Sequence, residues 1–446
     1  MTDATQDATP RADGSILTAD PRTARRNAAE RRFRAYGLAA IVAALSMLFL
    51  LLVSILSQGL PAFTQTTVEL EVALPAETLD PRGERDPDDI AQILTFGYVP
   101  LIEAAMERRV ADLGVTIEGL EDPAALLSKS APAQVRNHVL ANPEVIGGTY
   151  VFRFLATSRV DQFLKNEVTL ESAERDSRIS VAQLRLAEAL REAGALERGF
   201  NWGFVTGPDA SDQRPEAAGL GVAILGSAYM MLIVLFLALP IGVAASIYLE
   251  EFAPQNRFTD VIEVNISNLA AVPSIVFGIL GLAIFINFVG LPQSAPIVGG
   301  LVLTLMTLPT IIISTRAALK SVPPSIRTAA LGVGASKMQT VFHHVLPLAG
   351  PGILTGTIIG LAQALGETAP LLLIGMVAFV GEYPDAPPEG FFDPASALPV
   401  QIYNWTQRAD PAFAERASGA IIVLLVFLAI MNIAAVLLRR RFERRW

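Results

Sequence analysis

The sequence predicts an α-helical integral membrane protein with six transmembrane helices and an inserted α+β domain outside the bilayer. Three observations carry this. Of 446 residues, 52% are apolar and only 17% charged, with a mean hydropathy of +0.45, which is too apolar for a soluble globule. Apolar runs of about 20 residues or more, the length a helix needs to cross hydrocarbon, recur along the chain. Between the first and second of these runs lies a polar block, residues 58–218, with 15 Lys and Arg against 26 Asp and Glu, long enough for one domain.

Residues 1–37 read as a disordered cytoplasmic tail, with six arginines between Arg22 and Arg34. The run Leu38 to Leu56, in a first span at 38–57, is uncharged. Its apolar core is longer than that of a signal peptide, and the SQGLPAF that follows offers no small-residue cleavage pattern. An uncleaved helix with the arginines inside is expected.

In the acidic block, VELEVAL from Val68 and GTYVFRFLAT from Gly148 look like strands. SVAQLRLAEALREAGAL reads as a helix with Ser180 as N-cap, Gly199 as stop and an apolar stripe of Val181, Leu184, Leu186, Leu190 and Leu196. Its charged side reads as a solvated face.

Five more spans follow, at about 220–249, 261–289, 295–315, 348–380 and 417–438, in a core of 219–440, and the chain closes on a basic end, 441–446. The 30 uncharged residues from Leu220 exceed one crossing, so this helix tilts or protrudes. An even count with arginines at both ends puts both termini in the cytoplasm of a multi-pass inner-membrane protein. It places 58–218 in the periplasm, 316–347 in the cytoplasm, and 381–416 in a second external loop. Trp202 and Trp405 are expected at the outer interface, the common place for tryptophan, and Arg316 as a positive-inside anchor.

Composition also excludes. The absence of cysteine removes disulfides, thiolate metal sites and a cysteine nucleophile. A net charge of −9 argues against nucleic acid, which needs a basic footprint. No metal site is expected: His343 and His344 are neighbours that point about 100° apart on a helix, and no third ligand is close in sequence. No catalytic triad stands out.

The cytoplasmic stretch from Arg327 to Pro347, RTAALGVGASKMQTVFHHVLP, is the most informative. Pro323 and Pro324 end the helix leaving the fourth span. Ser325 is placed to cap a short helix through Leu331, and Gly332 and Gly334 break it. Ser336 is placed to cap a second helix running through Val345 and stopped by Pro347. Met338, Val341, Phe342 and Val345 fall at helical spacing. Two short helices at an angle with an apolar knob suit another protein's groove; a pair that merely packs under the bundle is the plain alternative. GVGASKM lacks the spacing of a phosphate-cradling P-loop.

This stretch is similar to the EAA loop of ATP-binding-cassette (ABC) permeases, with Ala329, Ala330, Gly334, Leu346 and Pro347 in the motif's places, Thr328 where the family has Glu and His344 where it has Ile. With NWGFVTGPD from Asn201, ILGSAYMMLIVLFLALPIGVAASIYLEEFAP from Ile224, AAVPSIVFGILGLA from Ala270, LPTIIISTRAALK from Leu308 and LGETAPLLLIG from Leu365, the chain resembles the PstA-type permeases of phosphate uptake over roughly residues 200–440. The acidic block resembles an N-terminal extension of unknown function found in some members.

The resemblance implies a MetI-like fold and a transport subunit, not an enzyme. Inorganic phosphate would cross between it and a homologous PstC-type permease. A PstB-type ATPase homodimer would bind ATP and Mg, leaving no cofactor in this chain, and a PstS-type periplasmic protein would deliver the phosphate. Arg327, Ala329, Ala330, Gly334, Met338, Phe342, Leu346 and Pro347 would couple to the ATPase.

Polar residues within spans are costly unless paired or lining a wet path, which makes Gln363, Glu367, Thr368, Asn265, Asn268 and Ser274 candidates for the translocation path. Around Glu367, Gly366 and Pro370 are suited to interrupt the fifth span and free backbone N–H groups for an anion. A carboxylate there would accept the phosphate's proton or hold a partner's arginine; capping a half-helix is the plain alternative. Gln363 stands where related permeases often carry Arg. A permease for molybdate or sulfate, and an extracytoplasmic sensor with a membrane relay, therefore stand beside the phosphate reading.

Overall fold

The computed structural model describes residues 21–173, 178–377 and 379–442, in two units that divide between Ile55 and Leu56. The expected tail and basic C-terminal end fall partly on 1–20 and 443–446, outside the described residues. Most of the first unit is helix α1 (Pro21–Gly59). The arginine-rich stretch from Pro21 is thus helical where a disordered tail was expected. Proline suits a first helical turn, and Glu30 pairs with Arg34 one turn on at 2.6 Å.

In the second unit a three-stranded antiparallel sheet, ordered β2-β1-β3, is built from β1 (Thr64–Ala73), β2 (Thr149–Leu155) and β3 (Leu196–Phe200). The alternation in VELEV does what a period of two requires: Val68, Leu70 and Val72 are buried while Glu69 and Glu71 face out. Leu70 lies opposite Phe152 and Val68 opposite Phe154. Helices α2 (Val99–Asp112), α3 (Ala131–Ala141), α4 (Ser158–Leu164) and α5 (Val181–Glu192) pack into this core, together with side chains from the segments between them. Ser180 caps α5 in a reciprocal pair with Gln183. The helix ends at Glu192, before the expected Gly199, because Gly194 takes the positive φ of 71° that reverses the chain. Gly199 and Leu196 consequently belong to β3.

After α6 (Trp202–Thr206), the membrane core comprises α7 (Gly221–Ile247), α8 (Arg257–Ala270), α9 (Ser274–Gly281), α10 (Pro296–Ser321), α11 (Pro324–Gly332), α12 (Lys337–Thr340), α13 (Leu346–Gly366), α14 (Ala369–Leu373), α15 (Leu398–Gln407) and α16 (Ala412–Phe442). Among the described residues, five helical stretches are long and apolar enough to cross a membrane, and the α8–α9 pair makes a sixth if it counts as one span.

That pair is bent by 99°, so the span expected at 261–289 is broken. Pro273 removes an N–H and pushes Val272 out of helical geometry. The span expected at 348–380 ends at Gly366, and the one expected at 295–315 runs on to Ser321. Trp405 is fully buried rather than interfacial: its indole donates to Asp209 at 3.0 Å, and its ring lies 6.1 Å from Phe204 and 6.3 Å from Phe413. Trp202 is 68% exposed.

The acidic domain is held on the start of α16 by charged pairs, most of them buried. Lys165 Nζ lies 2.6 Å from Asp161 and 2.8 Å from Glu415. Asp161 also accepts from the Thr66 backbone N–H at 2.9 Å and hydroxyl at 2.8 Å. Arg416 donates to the carbonyls of Ala218 and Glu216, both at 2.8 Å, and Arg178 pairs with Asp410. The Glu216 carboxylate accepts from the Ser128 hydroxyl and from the Ser158 N–H.

Burial pushes the Glu216 carboxyl above the usual carboxylate range, against the opposing pull of Ser128 and Arg416. A raised folded-state value contributes stability that is complete below the unfolded carboxylate pKa and is lost as pH rises through the folded one. The stability of Glu216→Gln relative to the wild type is therefore expected to increase with pH across that window. Urea unfolding at a series of pH values measures the difference, and a stability of the variant relative to wild type that falls as pH rises contradicts this account.

Candidate coupling loop and span break

The loop between α10 and α13 is pinned before it is presented. Arg327 reaches back to Glu251, at the end of the α7 stretch, with Nη2 at 2.7 Å and Nε at 3.1 Å from one carboxylate oxygen. Its Nη1 donates to the Val322 carbonyl at 2.7 Å and its Nη2 to that of Leu319 at 2.9 Å. Beside it, Arg316 bridges Glu250 at 3.3 Å and Glu263 at 2.6 Å. Arg316 is thus a tie between helices as well as a basic residue at a span end. Although Thr328 replaces the motif's carboxylate, an ion pair still fixes the start of the loop, through Arg327.

Helix α11 starts at Pro324, with Pro323 rather than Ser325 in the capping position, since proline's fixed φ suits the first turn. Gly334 takes φ of 92° and donates to the Leu331 carbonyl at 3.0 Å, a conformation costly for any other residue. Ser336 caps α12 reciprocally with Gln339. Pro347 does not stop this helix. A π-helical turn at Val341–Val345 leads directly into α13, so helix is continuous from Lys337 to Gly366. At the second position after the wide turn, proline's missing N–H costs little.

The expected apolar stripe divides. Val341 and Val345 are buried with Ile247, Leu319 and Ile353. Met338 and Phe342 are 58% and 43% exposed. Ala330 is buried, Leu346 half-buried, and Ala329, Gly334 and Pro347 are exposed. His343 and His344 are exposed, and the described residues hold no cluster suited to a metal. Two residues that the sequence reading missed belong with the exposed set: Leu331 and Val333, at 49% and 86%. A β-branched valine set between Gly332 and Gly334 was the available signal.

The second feature is the break after α13. Helical geometry ends at Gly366, Glu367 is extended, and Thr368 opens α14 by accepting at its carbonyl from Leu371 and Leu372, both at 3.1 Å. Glu367 and Thr368 are half-buried and Gln363 is exposed. α14 packs on α9, so half-buried Ser274 and the Glu367–Thr368 break lie on adjoining elements. Asn265 and Asn268 lie instead on exposed faces of α8, which packs on α10, and the Asn265 amide donates within its own helix to Val261 at 2.7 Å.

The α9–α14 seam is tight. A Cβ at Gly278 would come within 2.7 Å of Pro370 Cα. Gly278→Ala is therefore expected to cost about 1–3 kcal/mol by overpacking, read as a lower unfolding temperature of the reconstituted protein.

Comparison with known proteins places these features. Residues 238–446 match the family described as the binding-protein-dependent transport system inner membrane component, and residues 20–174 match a domain of unknown function, DUF3333. A probable ABC transporter permease protein, YqgI of Bacillus subtilis (strain 168), is 34% identical over 230 residues, 49% of this chain and 78% of that protein. A phosphate transport system permease protein, PstA 1 of Mycobacterium tuberculosis (strain ATCC 25618 / H37Rv), is 31% identical over 229 residues, 51% of this chain and 72% of that one. Among solved structures, the inward-facing MetNI methionine ABC transporter aligns at 17% identity and a TM-score of 0.40, over 50% of this chain and 95% of the matched chain.

Proposed function

This chain belongs to the PstA-type permeases of ABC importers, and from that premise we propose that it is the subunit through which inorganic phosphate crosses the inner membrane, in company with a PstC-type permease. A PstB-type ATPase homodimer, binding ATP and Mg, docks on the α11–α12 loop, and a PstS-type protein delivers phosphate on the opposite side. Both termini lie in the cytoplasm and the acidic domain in the periplasm, a topology supported by arginines at each end of the chain.

The observation that carries the mechanism is helical continuity from Lys337 to Gly366. Motion imposed on Met338 and Phe342 by the closing ATPase travels along one rod to the break at Glu367–Thr368. There the path opens and closes against α9, where Ser274 lies, while Gln363 on the same rod faces away from the buried core. Asn265 and Asn268 take the outlying positions in this scheme. The exposed set Leu331, Val333, Met338 and Phe342, on a loop pinned by Arg327, supports docking rather than packing under the bundle.

The assembled complex in proteoliposomes provides the test. ATP-dependent phosphate uptake that excess sulfate and molybdate fail to inhibit is the expected result. Uptake of molybdate or sulfate in its place overturns the substrate assignment.

A further inference from the structure

We propose that Leu60, Phe63, Phe200 and Trp202 form a lipid-facing anchor that seats the added domain in the headgroup region of the leaflet on its own side. The four come from the turn after α1, the end of β3 and the start of α6. Leu60, Phe200 and Trp202 are 55%, 52% and 68% exposed. The Phe200 and Trp202 rings lie 4.7 Å apart and Phe63 is 6.3 Å from Phe200, so the apolar surface is one patch rather than scattered side chains.

The backing is rigid. Phe63 packs edge-on against buried Phe204 at 5.2 Å, and Phe204 stacks on Trp405. Asn201 joins the two backbone segments: its N–H donates to the Phe63 carbonyl at 2.8 Å, its side-chain amide to that of Ala62 at 3.2 Å, and its side-chain oxygen caps α6 at the Phe204 N–H. A patch made of mobile side chains would lose part of its binding energy to ordering them; this one is already ordered.

Its level relative to the bilayer follows from the chain. The apolar run from Leu38 ends at Leu56, before the polar Ser57 and Gln58 and three residues before Gly59, and the uncharged run to Leu438 begins at Ala417, two residues before Gly419. Gly59 and Gly419 sit in backbone contact, so close that a Cβ on Gly59 would lie 2.6 Å from the Ser418 carbonyl oxygen. The patch begins one residue beyond this crossing, at Leu60, where two membrane runs leave hydrocarbon together. That is the depth at which aromatic rings with one polar atom are stable. Arg198, exposed and donating to the Thr64 hydroxyl at 2.9 Å, stands at the rim as a basic group facing lipid phosphates. The occupant is therefore the lipid surface and not a protein groove.

The test uses the full chain in phosphatidylcholine nanodiscs whose acyl chains are unbrominated, brominated close to the headgroup, or brominated near the chain end. Subtracting the emission of Trp202→Phe, which keeps a ring in place, isolates the Trp202 signal from that of the other two tryptophans. The expected signal is blue-shifted from that of indole in water and is quenched more by shallow than by deep bromines. A water-like, unquenched signal overturns the proposal, as does a blue-shifted signal that neither lipid quenches, which would mean a protein cover. Phe200→Trp in the Trp202→Phe background must behave as wild-type Trp202 does.

Discussion

With Met338 and Phe342 both replaced by Asp, phosphate uptake in proteoliposomes falls to background while the chain remains in the membrane. Exposed apolar side chains on a fixed turn are the usual anchors of a docking surface, and losing one such anchor costs about 2 kcal/mol or more, roughly 30-fold in affinity. Two together would remove measurable binding of the ATPase. Both side chains point outward, while their stripe neighbours Val341 and Val345 are the ones buried, so the substitutions leave the packing of the helix intact. ATPase pull-down and uptake are to be measured on one preparation. Normal capture of the ATPase by the double variant would remove this face from the interface. Gly334→Pro separates geometry from contact: it spares the anchors but forbids the φ of 92° and removes the N–H donated to Leu331.

Local chemistry was legible in the sequence where a residue type has one use. Ser336 reads as a helix cap, Val68 to Val72 as a strand, and Gly366 with Pro370 as an interruption; each stands in the structure, where Gln339 completes the cap reciprocally. Errors arose where a residue has two uses. Proline stops a helix when its N–H is needed, yet Pro347 follows a wide turn that releases the need. Pro273, inside the span expected at 261–289, lies where the chain bends by 99°, since proline lacks an N–H and disfavours helix in Val272 before it. Tryptophan suits an interface or a core, and Trp405 is in the core because Asp209 accepts its N–H there.

Partnerships between distant residues were not legible at all. Arg327 and Glu251 are 76 positions apart, and the two glutamates that close the α7 stretch carry no signal of which arginine each will meet. The same holds for Ser274 and the Glu367–Thr368 break, which come onto adjoining elements where Gly278 closely approaches Pro370 and Leu373.

Lys165→Met is expected to give the largest loss of stability in the chain. Lys165 is 3% exposed and lies between Asp161 and Glu415, themselves 8% and 10% exposed. Removing the cation takes an ion pair from both carboxylates at once and leaves Asp161 its bonds from the Thr66 N–H and hydroxyl. Breaking a buried pair in this way costs about 3–5 kcal/mol, a large share of the roughly 5–15 kcal/mol that holds a domain folded. The neutral triple variant Asp161→Asn, Lys165→Met, Glu415→Gln should recover most of it, because the penalty belongs to uncompensated charge rather than to lost packing. Hydrogen exchange along α4 in the reconstituted protein reads the effect locally, and equal protection in Lys165→Met and wild type would mean that the ion cluster does not hold the domain. The consequence for transport follows from connectivity: α16 carries Glu415 near its start and packs along α13, the rod that begins at the candidate coupling loop. A domain released from α16 no longer braces that rod, so Lys165→Met is expected to lower uptake while leaving ATPase capture unchanged.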